Sequence, residues 1–374
     1  MKNEKFFLRN IPKSIWIVFV LLVVAVCFLP IVFVQPGWID FTQTGQIGDT
    51  IGGTMGPFIA IIAAFLTFIA FWVQYEANIK QREDIAIERI EGKFYKMLDV
   101  YSDMSNSFSI RGVQGKEAFT ELVGEFTYSF FFIKWIYDSH LSDPNRLTKS
   151  QDEIRSLIRE FNGNSESRNK YLTDLSYQLF FYGRHYMVVD ITHPERTALA
   201  EEIKKIAFNS RTMPGPADFS DYLKTGKFDI SSPDPTKISK LFGGHSDFLG
   251  HYFRHLFQTV KFIASLDDAL IDEEMKYGYI KLLRSQMSDY EQVLLYYNSL
   301  TEQGKAWSMP KGDRFPEDAG FISRFRLIKN IPPIFPVFGV LPQEMYKEDA
   351  KKWEKMGKKF YEHRYLSISR SMLD

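Results

Sequence analysis

The sequence predicts a mainly α-helical protein in which an N-terminal two-helix transmembrane hairpin precedes a long stalk helix and a cytoplasmic α-helical domain. Two uncharged apolar runs stand near the N-terminus, and apolar residues recur with a helical period through most of the remaining chain. Alternation typical of strands is scarce. With 374 residues, 45% of them hydrophobic, the chain can build a sizeable core.

Charge and cysteine usage exclude several classes of protein. Lys plus Arg equals Asp plus Glu at 46 each, so no overall basic field attracts nucleic acid, and no DNA-binding motif is present. The one cysteine, Cys27, lies inside the first apolar run. An intrachain disulfide and a cysteine-built zinc site are therefore excluded.

The two apolar runs, residues 14–34 and 57–75, are predicted to be membrane spans. A hydrocarbon core of ~30 Å requires ~20 apolar residues, which is close to the length of each run. A cleaved signal peptide is the alternative for the first run, but that run is long, lacks a small-x-small cleavage site and is followed by the second. The two spans would form a hairpin across residues 14–75.

The distribution of basic residues predicts the orientation of this hairpin. The N-terminal segment 1–13 and the chain after the second span are basic, whereas the loop 35–56 contains no Lys or Arg. Because loops rich in Lys and Arg stay inside, both termini are expected in the cytoplasm. The sequence thus predicts a multi-pass protein of the cytoplasmic (inner) membrane with residues 35–56 outside.

A stripe of small residues at Gly52, Gly56, Ala60 and Ala64 recurs at every fourth position. Small residues let a neighbouring helix approach closely. The neighbour is either the first span or a second copy of the chain, which would make a homo-oligomer. The spans contain no ionisable group, so a channel or transporter is not favoured.

The cytoplasmic domain is predicted to cover residues 76–374. Its first part, about 76–108, reads as a stalk helix whose apolar stripe comprises Ile79, Ile90, Phe94, Leu98 and Tyr101. Further helical patterns lie at about 115–140, 150–162, 165–189, 195–209, 245–265, 272–300 and 344–363. Proline-rich segments at 211–236 and 330–342 are predicted loops.

The aromatic run 126–137 is the one segment that could be mistaken for a third span. Its uncharged part is short, and Glu125 and Lys134 bracket it. It is therefore predicted to be a buried core helix.

The candidate site lies in the stretch GHSDFLGHYFRHLFQTVKFI, residues 244–263. Helical spacing puts His251 and His255 on one face with Arg254 between them. Two histidines at this spacing can bind a metal, but the third ligand that a metal site needs is not named by the spacing, so no metal and no cofactor are predicted.

The following helix, residues 276–300, would carry Arg284, Ser288 and Glu291 on one face. A short turn near 266–272 would pair the two helices antiparallel, bringing His255 beside residues 281–284. A polar seam results, for which two interpretations stay open. It can fix helix register, since buried polar groups must be hydrogen-bonded. Alternatively His251, His255 and Arg284 are catalytic, with Arg254, Ser288 and Glu291 in support.

The catalytic interpretation corresponds to metal-independent RNA cleavage, because imidazole and guanidinium groups can move a proton and hold a phosphate. No phosphate-binding loop, HExxH or GxSxG motif is present. The Arg-x(4–6)-His signature of many α-helical ribonucleases is also missing, since Arg184-His185 and Arg254-His255 are adjacent pairs. The sequence does not decide whether the protein is an enzyme.

Three blocks resemble the phage abortive infection proteins of the AbiC-like kind. They are GDTIGGTMGPFIAIIAAFLTFIAFWVQYE at 48–76, LGHYFRHLFQTVKFI at 249–263 and YIKLLRSQMSDYEQVLLYYN at 279–298, and they occur in the family's order. The resemblance implies a membrane-anchored antiphage protein that stops an infection from spreading at the expense of the infected cell. It implies no particular reaction.

Three hypotheses follow for the function. The protein is a defence effector that damages RNA or another essential target, a non-enzymatic defence protein that oligomerises and perturbs the membrane, or a membrane scaffold outside defence. The partners expected are the lipid bilayer, a second copy of the chain, and RNA or a phage component.

Overall fold

The computed structural model describes residues 13–34, 47–147, 152–184, 193–208, 243–301, 303–308, 320–331 and 338–362. These residues are mainly helical, as the sequence predicts. The chain divides into two compact units, Met1–Arg89 and Ile90–Asp374. The predicted loop 211–236 lies outside the described residues, and so do residues 332–337 of the other predicted loop.

The helices are numbered in chain order. They are α1 (Lys13–Val34), α2 (Ile47–Ser107), α3 (Lys116–Ile136), α4 (Asp152–Gly163), α5 (Ser165–Tyr182), α6 (Pro194–Phe208), α7 (Ser246–Ala264), α8 (Glu273–Gln286), α9 (Asp289–Ser299), α10 (Phe321–Phe325), α11 (Pro342–Met345) and α12 (Lys347–Lys355). A π-helical turn, Tyr137–Leu141, extends α3, and 3-10 turns cover Pro144–Arg146 and Lys305–Trp307.

The first unit contains α1 and the beginning of α2. Within α2, the segment Met55–Ser107 is long and apolar enough to cross a membrane, judged by length and composition. Its large apolar side chains are exposed, with Phe71 at 67% and Trp72 at 54%. The helix begins at Ile47, so the end of the predicted external loop is helical, while residues 1–12 and 35–46 lie outside the described part of the chain.

The end of α2 matches the predicted stalk helix closely. The helix runs without interruption to Ser107, one residue before the predicted end. Phe94, Leu98 and Tyr101 are buried, which confirms the apolar stripe over this stretch, whereas Ile79 is exposed. The stripe becomes a packing surface only where the second unit begins.

A short hairpin follows α2. Strands β1 (Ser109–Ile110) and β2 (Val113–Gln114) pair antiparallel, with Ile110 opposite Val113. Arg111 and Gly112 form the turn with φ of 51° and 84°. Two positive φ values are typical of a type I′ turn, which suits the twist of a tight hairpin.

Helix α3 is central to the core of the second unit. It packs against α5, α6 and α9. Phe126 places its ring 4.8 to 5.5 Å from the rings of Tyr177, Phe180, Tyr297 and Phe338. The aromatic run 126–137 is therefore a buried core helix, as predicted, because all of its residues except Lys134 are buried.

Other helices agree with the sequence to different degrees. Those predicted at about 115–140, 150–162, 195–209 and 245–265 are confirmed as α3, α4, α6 and α7, with small shifts at their ends. The helix predicted over 165–189 ends early, at Tyr182, because Gly183 takes a φ of 78° and stops it. In the range predicted at 344–363, α12 ends at Lys355, shortly before Gly357 with its φ of 71°.

The prediction of a single helix over 272–300 is wrong, because the helix is interrupted at Met287 and Ser288. Both residues are extended there, with ψ of 132° and 162°. The hydroxyl of Ser288 accepts from the amide of Glu291, whose carboxylate accepts from the amide of Ser288. This capping box starts a new helix, so Arg284 and Glu291 belong to different helices.

The carboxylate of Glu291 joins three helices in the core. Its Oε1 atom accepts hydrogen bonds from the hydroxyls of Tyr101 and Ser105 on α2, both at 2.9 Å, and of Tyr252 on α7 at 2.8 Å. Its Oε2 atom accepts from the Ser288 amide at 2.6 Å. Burial and the charge of Glu291 raise the pKa of the Tyr101 hydroxyl, which therefore stays a donor.

Replacing Glu291 with Ala is expected to destabilise the second unit by at least about 3 kcal/mol, because three buried hydroxyls and one amide lose their acceptor. Tyr101→Phe, which removes one donor, is expected to cost about 1 kcal/mol. Denaturant unfolding of the full chain in detergent measures both. The control is Tyr95→Phe on the exposed side of the same helix. A wild-type midpoint for Glu291→Ala would contradict the proposed role.

Candidate functional site

The two histidines of the predicted site lie on α7, as the sequence indicates, but differ in environment. His251 and Arg254 are exposed, whereas His255 is partly buried. The opposite face of α7 buries Leu249, Tyr252, Phe253, Leu256 and Val260. The Nδ1 atom of His255 is enclosed and has no hydrogen-bond partner among the described residues.

Arg284 lies at the end of α8 and is only 6% exposed. Its Nη1 atom donates to the carbonyl oxygens of Phe325 and Arg326, each at 3.0 Å. These carbonyls lie at the C-terminal end of α10, where they have no partner within the helix. Arg284 therefore ties α8 to α10.

The six residues of the predicted seam do not form one hydrogen-bonded cluster in the described part of the chain. Helices α7 and α8 pack together after a short loop, as predicted. However, Ser288 and Glu291 are occupied by the capping box and the core contacts of Glu291. In the described structure, neither histidine forms a hydrogen bond with Arg284. The Nη1 atom of Arg284 donates instead to main-chain oxygens of α10.

A second cluster, formed by Arg111, Glu125 and His245, does bring acid, base and cation together. The Nη2 atom of Arg111 donates to Oε2 of Glu125 at 2.6 Å. The Nε2 atom of His245 lies 3.0 Å from Oε1 of the same carboxylate, although it is not aligned as a hydrogen bond. The side chain of Glu125 is 2% exposed, while that of His245 is 16% and that of Arg111 is 39% exposed.

The backbone holds each member of this cluster. The hairpin turn directs Arg111 toward α3, and Glu125 lies in the buried part of α3. The amide of His245 donates to the carbonyl of Phe181 at 2.8 Å. At Gly244, with φ of 86°, a Cβ atom would lie 2.7 Å from the carbonyl carbon of Tyr182, so only glycine fits before His245.

The chemistry available in this cluster is acid–base chemistry beside a cation. The carboxylate of Glu125 lies beside the imidazole of His245, and the neighbouring guanidinium of Arg111 can bind an anion. Sequence reasoning missed the cluster. The pair Gly244-His245 at the start of α7 is a local signal for a constrained histidine, but its partners lie far away along the chain.

A cleft of about 760 Å³ lies on the same unit. Helices α5 and α6 contribute Lys170, Asp174, Gln178 and Arg196, and His193 lies just before α6. Tyr171 donates from its hydroxyl to the carbonyl of Arg196 at 2.7 Å. Charges of both signs line this cleft, so they do not select a ligand of one charge. Among the described residues, no group of three His, Cys, Asp or Glu side chains could hold a metal ion.

These features define a mainly helical protein that has, among its described residues, one helix suited to a membrane, and a cluster of charged side chains and a cleft on its second unit. Residues 244–335, which include α7 to α10, match the family described as "Putative phage abortive infection protein". Comparisons with curated proteins and with solved structures gave no match. The match supports the resemblance to AbiC-like proteins in the blocks 249–263 and 279–298, and it does not cover the block 48–76.

The environment of His255 predicts a pH dependence of stability. Burial lowers the pKa of His255 below 6.5 in the folded protein. The unfolded chain therefore binds the proton more readily, and the contribution of His255 to stability is lost as the pH falls through about 6.5 toward the lower folded pKa.

We expect the His255→Gln variant to lose less thermal stability than the wild type between about pH 7 and pH 5, because its side chain takes up no proton. Thermal unfolding of the full chain in detergent at each pH measures the difference. The exposed histidine His140 supplies the control variant, His140→Gln. Identical pH profiles for wild type and His255→Gln would show that burial of His255 has no such effect.

Proposed function

We propose that the protein is a membrane-anchored antiphage protein of the abortive-infection type, and that its second, helical unit acts in the cytoplasm during infection. The observation that carries the proposal is the family match over residues 244–335. The block at 48–76, which resembles the same family, supports it. The response would stop an infection from spreading at the expense of the cell.

Several observations support the membrane anchor. The apolar part of α2 exposes its large side chains, which lipid would cover. Helix α1 is uncharged after Lys13, and Phe19 stacks on Phe65 of α2 with ring centroids 6.2 Å apart. We infer two spans with both termini in the cytoplasm, because the loop 35–56 contains no basic residue.

RNA cleavage without a metal is one mechanism by which the helical unit would act. This reaction needs a group that takes a proton from the 2′-hydroxyl, a group that returns a proton to the leaving oxygen, and a cation near the phosphate. The imidazole of His245 would take the proton from the 2′-hydroxyl and deliver it to the leaving oxygen, Glu125 lies beside this imidazole, and Arg111 is a partly exposed cation. These groups suit the mechanism better than Arg284, which bonds to main-chain carbonyls.

The alternative is a non-enzymatic protein that oligomerises and perturbs the membrane. The small-residue stripe supports this alternative. Gly52, Gly56, Ala60 and Ala64 are all exposed. A methyl group added at Gly52 or Gly56 would meet no atom of the described residues within 4 Å. The stripe is thus free to pack against a second copy of the chain.

Phage plating efficiency on cells that express the full chain tests the proposed function. Expression is expected to reduce plaque formation at least tenfold. His245→Ala is expected to abolish this protection at unchanged protein abundance, because it removes the proton-exchanging group. His140→Ala, at an exposed histidine, is the matched control. Plaque numbers unaffected by the wild-type protein across a panel of phages would contradict the proposal.

Incubation of the purified full chain with total RNA and EDTA separates the two mechanisms. Fragments that disappear with His245→Ala support cleavage at the Arg111, Glu125 and His245 cluster. Fragments that disappear with His255→Ala and persist with His245→Ala support the predicted α7 site instead. Intact RNA together with phage protection supports the non-enzymatic mechanism.

The orientation of the chain gives a separate prediction. A reporter fused after Asp374 is expected to be active only in its cytoplasmic form, because the basic segments flank the two spans on that side. A second reporter inserted within residues 35–56 serves as the opposite control and is expected to be active only in its periplasmic form. A periplasmic signal from the fusion after Asp374 would overturn the orientation.

A further inference from the structure

Three cations surround two aromatic rings where α8, α10 and α12 meet. We call Tyr277, Arg284, Arg326, Trp353 and Lys358 the cationic aromatic cluster. The Arg326 guanidinium carbon lies 4.4 Å from the ring centroid of Trp353 and 4.9 Å from that of Tyr277. The Lys358 Nζ atom lies 5.9 and 5.7 Å from the same two centroids.

Hydrogen bonds to neighbouring segments hold two of these side chains, Arg326 and Trp353. Arg326 is the C-cap of α10 in the left-handed conformation, with φ of 51°. It donates to the hydroxyl of Tyr277 and to the carbonyl of Lys359. The indole of Trp353 donates to the carbonyl of Ser323 at 2.9 Å, which holds α12 against α10.

Among the described residues, the two arginines of the cluster are buried without a carboxylate partner. Arg284 and Arg326 are each 6% exposed. Within the described structure, two nearby acids pair with other cations, Glu273 with Arg324 and Glu362 with Lys329. The Nε atom of Arg326 is buried and has no hydrogen-bond partner among the described residues.

Among the described residues, this arrangement leaves an excess of positive charge in a partly buried place. Buried charges in proteins are ordinarily paired, since an unpaired buried ion loses its hydration without compensation. Main-chain carbonyls and aromatic faces compensate only in part. Burial raises the pKa of Tyr277, yet a hydrogen bond from Arg284 and the charges of Arg284 and Arg326 outweigh that effect and lower the pKa.

We propose that the cationic aromatic cluster binds a phosphate group, whose negative charge would pair with Arg284 and Arg326. A phosphate offers several strong acceptor oxygens and matches the fork of a guanidinium group. The rim of the cluster is accessible among the described residues, because Lys358 is exposed and Tyr277 and Trp353 are only partly buried. The site is distinct from the Arg111, Glu125 and His245 cluster, so it does not depend on the proposed function.

The phosphate group could belong to a small molecule or to RNA. Calorimetric titration of the full chain in detergent with inorganic phosphate, with a nucleoside 5′-monophosphate and with a short single-stranded RNA distinguishes these sources. Each is measured against chloride at equal ionic strength. If phosphate or the monophosphate binds as tightly as RNA, the site is a small-molecule site. If RNA binds at least tenfold more tightly and phosphate competes with it, the site is an RNA site.

Two variants test the residues. Arg326→Gln is expected to weaken phosphate binding at least tenfold, and Lys358→Gln severalfold, because Lys358 lies at the exposed rim. Lys351→Gln is the matched control, since Lys351 is exposed on α12 and pairs with Glu348. Lys358→Gln keeps the test decisive if Arg326→Gln fails to fold. Absence of saturable binding, or equal affinity in wild type and Lys358→Gln, would overturn the proposal.

Discussion

The buried carboxylate of Glu291 is the interaction on which the second unit depends most. One oxygen takes hydroxyl donors from α2 and α7, and the other caps the helix to which Glu291 belongs. The register of three helices is thus set by one side chain. The capping box also explains why α8 and α9 are separate helices: α8 ends before Met287, and Ser288 caps the start of α9. Arg284, on the other side of this break, is directed to α10 and not to the core.

The fold follows from the sequence wherever burial imposes a simple period. The aromatic helix α3 and the buried stripe at the end of α2 are examples, because their apolar residues recur at helical spacing and can be buried together only on a helix. The break at Ser288 escaped prediction because the apolar period continues through it. The Ser-x-x-Glu pattern there was a capping signal, but the same four residues also fit the interior of a helix.

The candidate sites were less accessible to sequence reasoning. Spacing places His251 and His255 on one face of a helix, and the structure agrees, but spacing does not say which of them is enclosed. The contact of His245 with Glu125 joins α7 to α3 through a glycine that fits against the backbone of Tyr182. Such a contact depends on tertiary packing, which no local pattern contains. Whether His251, His255 and Arg284 act in catalysis stays a prediction.

The positive and negative charges of the chain are equal in number but unevenly distributed in space. Glu291 is a buried acid surrounded by neutral donors, and Arg284 and Arg326 are buried cations surrounded by neutral acceptors. Around Glu125, a buried acid meets a partly exposed cation. A net charge of zero therefore conceals regions of opposite potential within one helical unit, and such regions can recruit ligands of opposite sign.

The two non-glycine residues with positive φ in the described structure are both arginines, Arg111 and Arg326. A left-handed backbone costs an ordinary residue about 1 kcal/mol or more relative to glycine. At each position the side-chain contacts of the arginine must offset this cost. Glycine at either position would relax the backbone while removing a cation. Substitution by glycine at these two positions would therefore remove a positive charge and also remove the backbone strain. A stable chain that carries glycine there would have lost a binding group without losing its fold.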